Sequence, residues 1–236
     1  MTADKRRTDG RKRRWQQHNA DRRQGVIDAA ITVLRRDLTP GEDLSVQQIA
    51  DESGVHRTVL YRYFEDRADL DLAIQREICQ QAGSMITAAV TLEGTPQEIV
   101  HRVIGAFVDW SVDNIGLMRF AERELPGAAS KPLDEAIGQI AEAIEIVIGG
   151  FLAILDAEVS DDLADVLTPY VHLLVGGVMA AVHSWTTRDE LRPPAADFTR
   201  LLAEIMWLQI AGVAAAQGIE VPDVPVEQLL NLEENL

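Results

Sequence analysis

A short stretch between residues 45 and 67 holds side chains suited to contacting a nucleic acid. Four polar side chains recur at the spacing of one helical face: Arg57, Thr58, Tyr61 and Arg62. Three apolar side chains fall on the opposite face: Val55, Leu60 and Phe64. An arginine can donate two hydrogen bonds to O6 and N7 of a guanine, and a threonine can contact a thymine methyl group. The pattern predicts a DNA-contacting helix with Arg57 as the best candidate for base contact.

Two short helices joined by a tight turn are needed to position that face. Ser45, followed three residues later by Gln48, forms a capping box and predicts a helix over residues 46–52. Gly54 can adopt the positive φ of a tight turn, and a second helix is predicted over residues 56–64. Such a pair is a helix-turn-helix, whose second helix enters the major groove of DNA.

The N-terminus is basic and precedes a support helix. Residues 4–23 carry nine Lys and Arg side chains against three Asp. We predict a flexible arm over residues 1–21, in which the basic run 11–14 and Trp15 could follow the phosphates or enter a minor groove. The alternative is a solvated tail without contacts. Residues 22–37 place apolar side chains on one broad face and predict a helix that supports the helix-turn-helix.

The distribution of charge explains how an acidic chain can meet DNA. The net charge is −16, but the first 76 residues carry 15 Lys and Arg against 13 Asp and Glu. The remaining 160 residues carry seven against 25. The acidity therefore belongs to the C-terminal part, which is kept soluble and away from the polyanion.

Composition indicates a helical protein of a reducing compartment. Hydrophobic residues make up 47% of the chain and aromatic residues only 5%, without alternating β-branched runs. The single cysteine, Cys79, has no partner for a disulfide and no neighbouring metal ligands. The N-terminus lacks the apolar segment of a signal peptide, and no uninterrupted apolar run reaches the roughly 18 residues of a membrane helix. We expect a cytoplasmic protein with no membrane, metal or cofactor.

The stretch resembles the TetR family of transcriptional regulators. The resemblance is carried by the support helix, by I-A-D-E-S-G-V at 49–55, by L-Y-R-Y-F at 60–64 and by Arg67 with Leu70. It covers residues 24–75 by motif and the remainder by length and helical layout. The chain departs from the usual family pattern at four positions: His56 for Ser, Thr58 for Gly, Val59 for Thr and Arg67 for Lys.

The resemblance implies an all-α homodimer with two domains after the arm. These are a three-helix helix-turn-helix DNA-binding domain over residues 22–67 and a larger helical domain over residues 68–236 for effector binding and dimerisation. Tyr61 and Tyr63 resemble the family's phosphate-contacting tyrosines, and Arg67 resembles its phosphate anchor at a helix start. The complete predicted DNA-contacting set is Ser45, Gln47, His56, Arg57, Thr58, Tyr61, Arg62, Tyr63 and Arg67.

The C-terminal domain offers candidates for an effector pocket and for a dimer interface. Polar and aromatic side chains near apolar faces could line the pocket: His101, Phe107, Trp110, Arg119, Phe120, Tyr170, His172 and Trp185. Each could equally be part of the core. The helix near residues 198–213 is apolar around much of its circumference, which implies a partner. The predicted interface contains Gly176, Gly177, Leu201, Ile205 and Leu208; the glycine pair could instead be an ordinary weak point in a helix.

Three functions fit these patterns. The leading one is a repressor that leaves a palindromic operator when it binds an apolar or cationic small-molecule effector. The first alternative binds DNA constitutively and is regulated by protein partners. The second is an enzyme that uses the C-terminal cavity, although no catalytic triad, metal-ligand or glycine-rich phosphate motif stands out.

Overall fold

Helices account for nearly all of the chain that can be described. The computed structural model describes residues 3–36, 43–125, 131–155, 157 and 161–233, and the side chains of 3–16, 161–163 and 230–233 lie outside that description. The described residues form ten helices and no strand: α1 Ala3–Arg36, α2 Val46–Ser53, α3 Arg57–Leu60, α4 Arg67–Ala89, α5 Pro96–Asp113, α6 Ile115–Ala121, α7 Pro132–Ile154, α8 Asp161–Thr186, α9 Ala195–Ala216 and α10 Val226–Glu233. The predicted all-α class is confirmed.

The chain divides into two compact units. The first comprises Met1–Cys79 together with Ile115–Pro132, and the second comprises Gln80–Asn114 together with Leu133–Leu236. The first unit contains the predicted helix-turn-helix domain but also takes in α6, which the sequence places in the C-terminal domain. Helix α4 begins in the first unit, and its residues from Gln80 onward belong to the second.

The support helix is longer than the sequence pattern predicts. We expected an arm over residues 1–21 and a helix that begins near residue 22, whereas α1 is one helix from Ala3 to Arg36. The difference has a physical reason, since Arg, Lys, Gln and Ala make up much of the segment and are good helix formers. The apolar face of α1 packs into the core through buried side chains: Val26, Ile27, Ala30, Ile31, Val33 and Leu34.

The second unit is organised by helices α5, α7, α8 and α9. Thr95, Pro96 and Glu98 have the residue types and spacing of a capped helix start, and Thr95 does cap α5 through a capping box with Glu98, with Pro96 in the first turn. Helix α5 packs against α9 and α8. Helices α7 and α8 share a small apolar cluster centred on Ala141, Val171 and Val175. Pro169 lies inside α8 without splitting it.

Three helices of this unit are more apolar than we predicted. Pro132–Ile154, Ala164–Thr186 and Ala195–Ala216 are each long and apolar enough to cross a membrane, judged by length and composition alone. The sequence expectation concerned only uninterrupted apolar runs, whereas a helix that carries a few charged residues can also be long and apolar enough to span a bilayer. Much of the apolar surface of these helices is exposed within the single chain.

Candidate nucleic-acid interface

Helix α2 is fixed at both ends by the residues that the sequence singles out. The Ser45 hydroxyl accepts a hydrogen bond from the backbone N–H of Gln48 at 3.1 Å, and the Gln48 side chain accepts one from the Ser45 N–H at 2.9 Å. Gly54 follows the helix with φ of 64°, and its N–H donates to the Ala50 carbonyl. The predicted capping box and left-handed turn are both confirmed, and they set the direction in which the chain enters α3.

Helix α3 is shorter than predicted but its turn continues. It spans Arg57–Leu60, and residues 61–63 follow as a tighter turn rather than as helix. The N–H groups of Arg62 and Tyr63 donate to carbonyls three residues back, and Phe64 donates to Leu60 at 3.2 Å. The chain therefore keeps its helical direction to Phe64, which, like Leu60, is buried.

Four predicted side chains form one exposed surface on this segment. Arg57, Thr58, Tyr61 and Arg62 are all exposed, and Tyr61 has a relative accessibility of 42%. We call these four residues the recognition face. Because Leu60 and Phe64 anchor the opposite side in the core, the recognition face points away from the unit that carries it. This exposure is what contact with DNA base edges requires.

His56 caps α3 in place of the hydroxyl that is usual at this position. Its side chain accepts a hydrogen bond from the Thr58 N–H at 3.4 Å, and its Nδ1 lies 2.8 Å from the Thr58 hydroxyl. A neutral imidazole can replace a serine as an N-cap in this way. Both side chains are exposed beside Arg57. His56 and Thr58 are two residues apart, and that spacing alone does not predict a bond between their side chains.

The other predicted contacts have different surroundings. Ser45 and Gln47 are exposed, but the Ser45 hydroxyl is engaged by Gln48 and the Gln47 amide donates to Asp51 at 2.7 Å. Tyr63 is half-buried. An open depression of about 400 Å³ lies between α2 and the start of α3 and includes Gln47 and Arg57 in its lining. The side chains of the basic run 11–14 and of Trp15 lie outside the described residues.

Arg67 is tied into the first unit by its side chain. Its Nε donates to both carboxylate oxygens of Asp71 at 2.8 Å, and its Nη2 donates to the Leu44 carbonyl at 2.6 Å. The Asp71 side chain is only 12% exposed. These bonds join the start of α4 to the segment before α2. The role of Arg67 as a phosphate anchor therefore stays a prediction, and a structural role is now visible beside it.

Charged side chains of α1 contact residues of the helix-turn-helix and of α4. Arg36 forms an ion pair with Glu52 of α2 at 2.8 Å. Arg23 places its guanidinium 4.6 Å from the centre of the Phe64 ring and lies 3.5 Å from Asp69 of α4. A cation over an aromatic face is attractive, and here the contact also stabilises Phe64, the buried residue that follows the turn after α3.

Helix α6 belongs to the same unit through two contacts that the sequence did not reveal. Gly116 lies so close to α1 that a Cβ atom there would be 2.3 Å from the Leu34 carbonyl oxygen. Gln75 of α4 is buried, and its Nε2 donates to the carbonyls of Phe120 and Arg123 at 3.0 and 2.8 Å. A glutamine on the buried side of α4, between Ile74 and Ile78, was the available signal for the second contact.

The eight predicted pocket residues are divided between the two units. Arg119 and Phe120 belong to the first unit, and the other six belong to the second. Trp185 is a core residue: it stacks on Phe198 with ring centres 4.4 Å apart and donates to the Pro193 carbonyl at 3.0 Å. The remaining positions vary from the exposed His101 and His172 to the half-buried Trp110 and the buried Phe107.

Tyr170 differs from the rest of that set. Its hydroxyl is buried and has no hydrogen-bond partner among the described residues. Burial raises the pKa of the Tyr170 hydroxyl above its usual value of 10.0, so the group is a neutral donor at physiological pH. A buried donor without an acceptor costs free energy, and such groups in native proteins require an explanation.

Four of the five predicted dimer residues are exposed on α8 and α9, and Gly176 is half-buried. Leu201, Ile205 and Leu208 have relative accessibilities of 43, 52 and 65% and follow each other at helical spacing on α9. The buried side chains of α9, namely Thr199, Leu202, Ala203 and Met206, lie on its other side. On α8, Leu173 is 62% exposed, and a Cβ atom at Gly176 or Gly177 would meet nothing within 4 Å.

The fold and the recognition face define a helix-turn-helix DNA-binding protein of the all-helical class. No protein-family model matches the sequence. The chain is 32% identical over 213 residues to the HTH-type transcriptional regulator Rv0472c of Mycobacterium tuberculosis, covering 89% of this chain and 86% of the relative. The chain belongs to the TetR family of helix-turn-helix transcriptional regulators. Because this is a non-enzymatic family of DNA-binding regulators, the enzyme alternative is set aside.

Solved structures show the same fold. A TetR-family regulator from Streptomyces coelicolor matches with a TM-score of 0.65 at 21% identity, over 90% of this chain and 89% of that one. The regulator FadR from Bacillus subtilis, in complex with stearoyl-CoA, matches with a TM-score of 0.58 at 16% identity, over 78 and 96%. RolR in complex with resorcinol matches with a TM-score of 0.56 at 18% identity, over 88 and 98%.

Proposed function

We propose that the protein is a homodimeric repressor that binds a palindromic operator and is released from it by a small-molecule effector. The observation that carries the proposal is the recognition face, four exposed side chains on a segment whose opposite side is anchored in the core. Arg57 supplies the base contact to guanine, and the others contact bases or phosphates. The cytoplasm is the proposed location, because an operator-binding regulator works where the DNA is.

Dimerisation is supported by the exposed apolar surface of α8 and α9. A helix that buries one side in its own unit exposes a second apolar side to water unless a partner covers it. A two-fold dimer would cover Leu201, Ile205 and Leu208 on both copies at once. Coverage by a partner subunit explains why these helices are so apolar without requiring a membrane.

An effector is supported by the Tyr170 hydroxyl. The residue next to it, Val171, is fully buried in the apolar cluster between α7 and α8. A ligand with an apolar body and one hydrogen-bond acceptor would satisfy the hydroxyl. Of the two effector types that we predicted, an apolar one is favoured over a cationic one, because the Tyr170 hydroxyl itself is buried away from water. The ligands bound by the FadR and RolR structures, stearoyl-CoA and resorcinol, both contain apolar parts.

Release from DNA by a small molecule tests the proposal. A fluorescent duplex chosen from a random pool by the protein would be titrated with long-chain acyl-CoA esters and with small phenols while its anisotropy is followed. We expect one class to lower DNA affinity at least tenfold in a saturable way, as differential affinity for two conformations requires.

The same titration separates the repressor from the constitutive alternative. If no compound of either class changes DNA affinity while the protein still binds a defined sequence, regulation through protein partners becomes the better proposal. Binding without any sequence preference would contradict both.

A further inference from the structure

The direction of the hydrogen bond between the His56 and Thr58 side chains follows from the tautomer of His56. The Thr58 backbone N–H donates to Nδ1 of His56. A backbone N–H can only donate, so Nδ1 must be the unprotonated nitrogen, and the proton of the neutral imidazole lies on Nε2.

This tautomer determines what the Thr58 hydroxyl does. Its oxygen lies 2.8 Å from Nδ1, and a bare nitrogen has no proton to give. The hydroxyl must therefore donate its only proton to Nδ1, because two acceptors at this distance would repel each other. Several other helical threonines donate to the carbonyl four residues back, as Thr32 does to Asp28 at 2.9 Å and Thr87 to Gly83 at 2.9 Å.

The Thr58 hydroxyl on the recognition face can therefore accept a hydrogen bond from DNA but cannot donate one. A free threonine can donate to one base and accept from another, so it distinguishes them poorly. With its proton held by His56, Thr58 offers only lone pairs to a ligand. In the major groove, hydrogen-bond donors on the base edges are the amino groups N6 of adenine and N4 of cytosine, whereas O6 of guanine and O4 of thymine are acceptors.

We propose that His56 fixes Thr58 as a hydrogen-bond acceptor, so that the base opposite Thr58 in each half-site is adenine or cytosine rather than guanine or thymine. The inference rests on the proposed function, since it requires that the recognition face enters the major groove. His56 acts here as a positioning residue and Thr58 as the specificity-determining one.

Selection from a random DNA pool, run in parallel with the full-length wild type and single variants, tests this. The wild type should prefer adenine or cytosine at one position of each half-site by about fivefold, the size of one neutral hydrogen bond. His56→Ala frees the hydroxyl to donate, so that preference should disappear there and stay elsewhere. His56→Asn should restore it, because the amide oxygen of asparagine accepts at the place of Nδ1.

A second pair of variants keeps the backbone cap intact and covers the case in which His56→Ala no longer binds DNA. Thr58→Val removes the hydroxyl and should abolish the preference, whereas Thr58→Ser should retain it. An unchanged site for Thr58→Val, or for a binding-competent His56→Ala, would overturn the proposal while leaving operator binding in place. If the wild type enriches no sequence, the proposed function and this inference both fail.

Discussion

At the residue scale, the Arg67 side chain joins the start of α4 to the segment before α2. The resemblance to the family implies a phosphate anchor, yet the guanidinium donates to Asp71 and to the Leu44 carbonyl. Asp71 is largely buried, and truncation of Arg67 would leave its carboxylate without this hydrogen-bond donor. A buried group that loses its partner costs more than the pair contributes.

Truncation of Arg67 separates the two roles. For Arg67→Ala we expect a loss of about 1–3 kcal/mol in the free energy of unfolding, measured by urea denaturation. Arg36→Ala is the matched control, because its pair with Glu52 is exposed and should cost no more than about 1 kcal/mol. An Arg67→Ala protein of wild-type stability that binds all DNA sequences more weakly would instead support the phosphate anchor alone.

Tyr170→Phe tests the buried hydroxyl. Removing a donor without an acceptor should raise the free energy of unfolding by up to about 1 kcal/mol, because the folded state no longer bears its desolvation cost. The variant should bind DNA normally and respond less to the effector. Lower stability of the variant in a thermal melt would show that the hydroxyl has a favourable partner, and unchanged effector sensitivity would remove Tyr170 from the ligand site.

The recognition face could be predicted from the sequence, while its chemistry could not. Helical spacing and the inward positions of Leu60 and Phe64 were sufficient to place Arg57, Thr58, Tyr61 and Arg62 outside. The bond between His56 and Thr58 depends on side-chain rotamers, which spacing does not specify. The pocket residues stay a prediction, because aromatic residues such as Trp185 pack in cores as readily as they bind ligands and residue type alone does not distinguish the two.

At the scale of elements, the main finding is that α6 belongs to the DNA-binding unit. The sequence shows a helix after Asn114, but nothing local indicates where it packs. The close approach at Gly116 and the bonds from Gln75 are long-range contacts, and only the assembled structure reveals them. The starts of α2 and α5 were better predicted, because the capping boxes at Ser45 and Thr95 are local signals.

Gly116→Ala tests the packing of α6 on α1. The added Cβ would clash with the Leu34 carbonyl at 2.3 Å, and since backbone cannot rotate away, α6 must shift. We expect a loss of about 1–3 kcal/mol in unfolding free energy. Gly138→Ala in α7, where a Cβ meets nothing within 4 Å, should be neutral or stabilise by up to about 1 kcal/mol. Equal stability of both variants would refute this packing.

At the scale of the whole molecule, the N-terminal part and the remainder of the chain differ in charge and in exposed apolar surface. Near-neutral N-terminal residues carry the recognition face, and the acidic remainder carries exposed apolar stripes on α8 and α9. The sequence indicated the need for a partner, because α9 is apolar on more than one side. The length and apolarity of α7, α8 and α9 resemble those of membrane spans, which shows why composition alone cannot distinguish a bilayer from a protein partner.

Leu208→Glu tests the dimer. Two-fold symmetry would bury two added carboxylates, each at a cost of about 2 kcal/mol or more, so the protein should sediment as a monomer at micromolar concentration. Ile146→Glu is the control, since Ile146 is 70% exposed on α7, outside the proposed interface. A monomeric wild type would remove the dimer from the proposal, and an intact Leu208→Glu dimer would move the interface elsewhere.

Sequence selection from a random duplex pool measures the central claim most directly, with the wild type and Arg57→Ala compared side by side. The wild type should enrich a palindrome whose half-site centres lie about 10 base pairs, or a multiple of this, apart. Arg57→Ala should relax one G·C position in each half-site by about 1–3 kcal/mol and leave the others unchanged. Enrichment of no sequence by the wild type, or of an identical palindrome by Arg57→Ala, would contradict base recognition through this face.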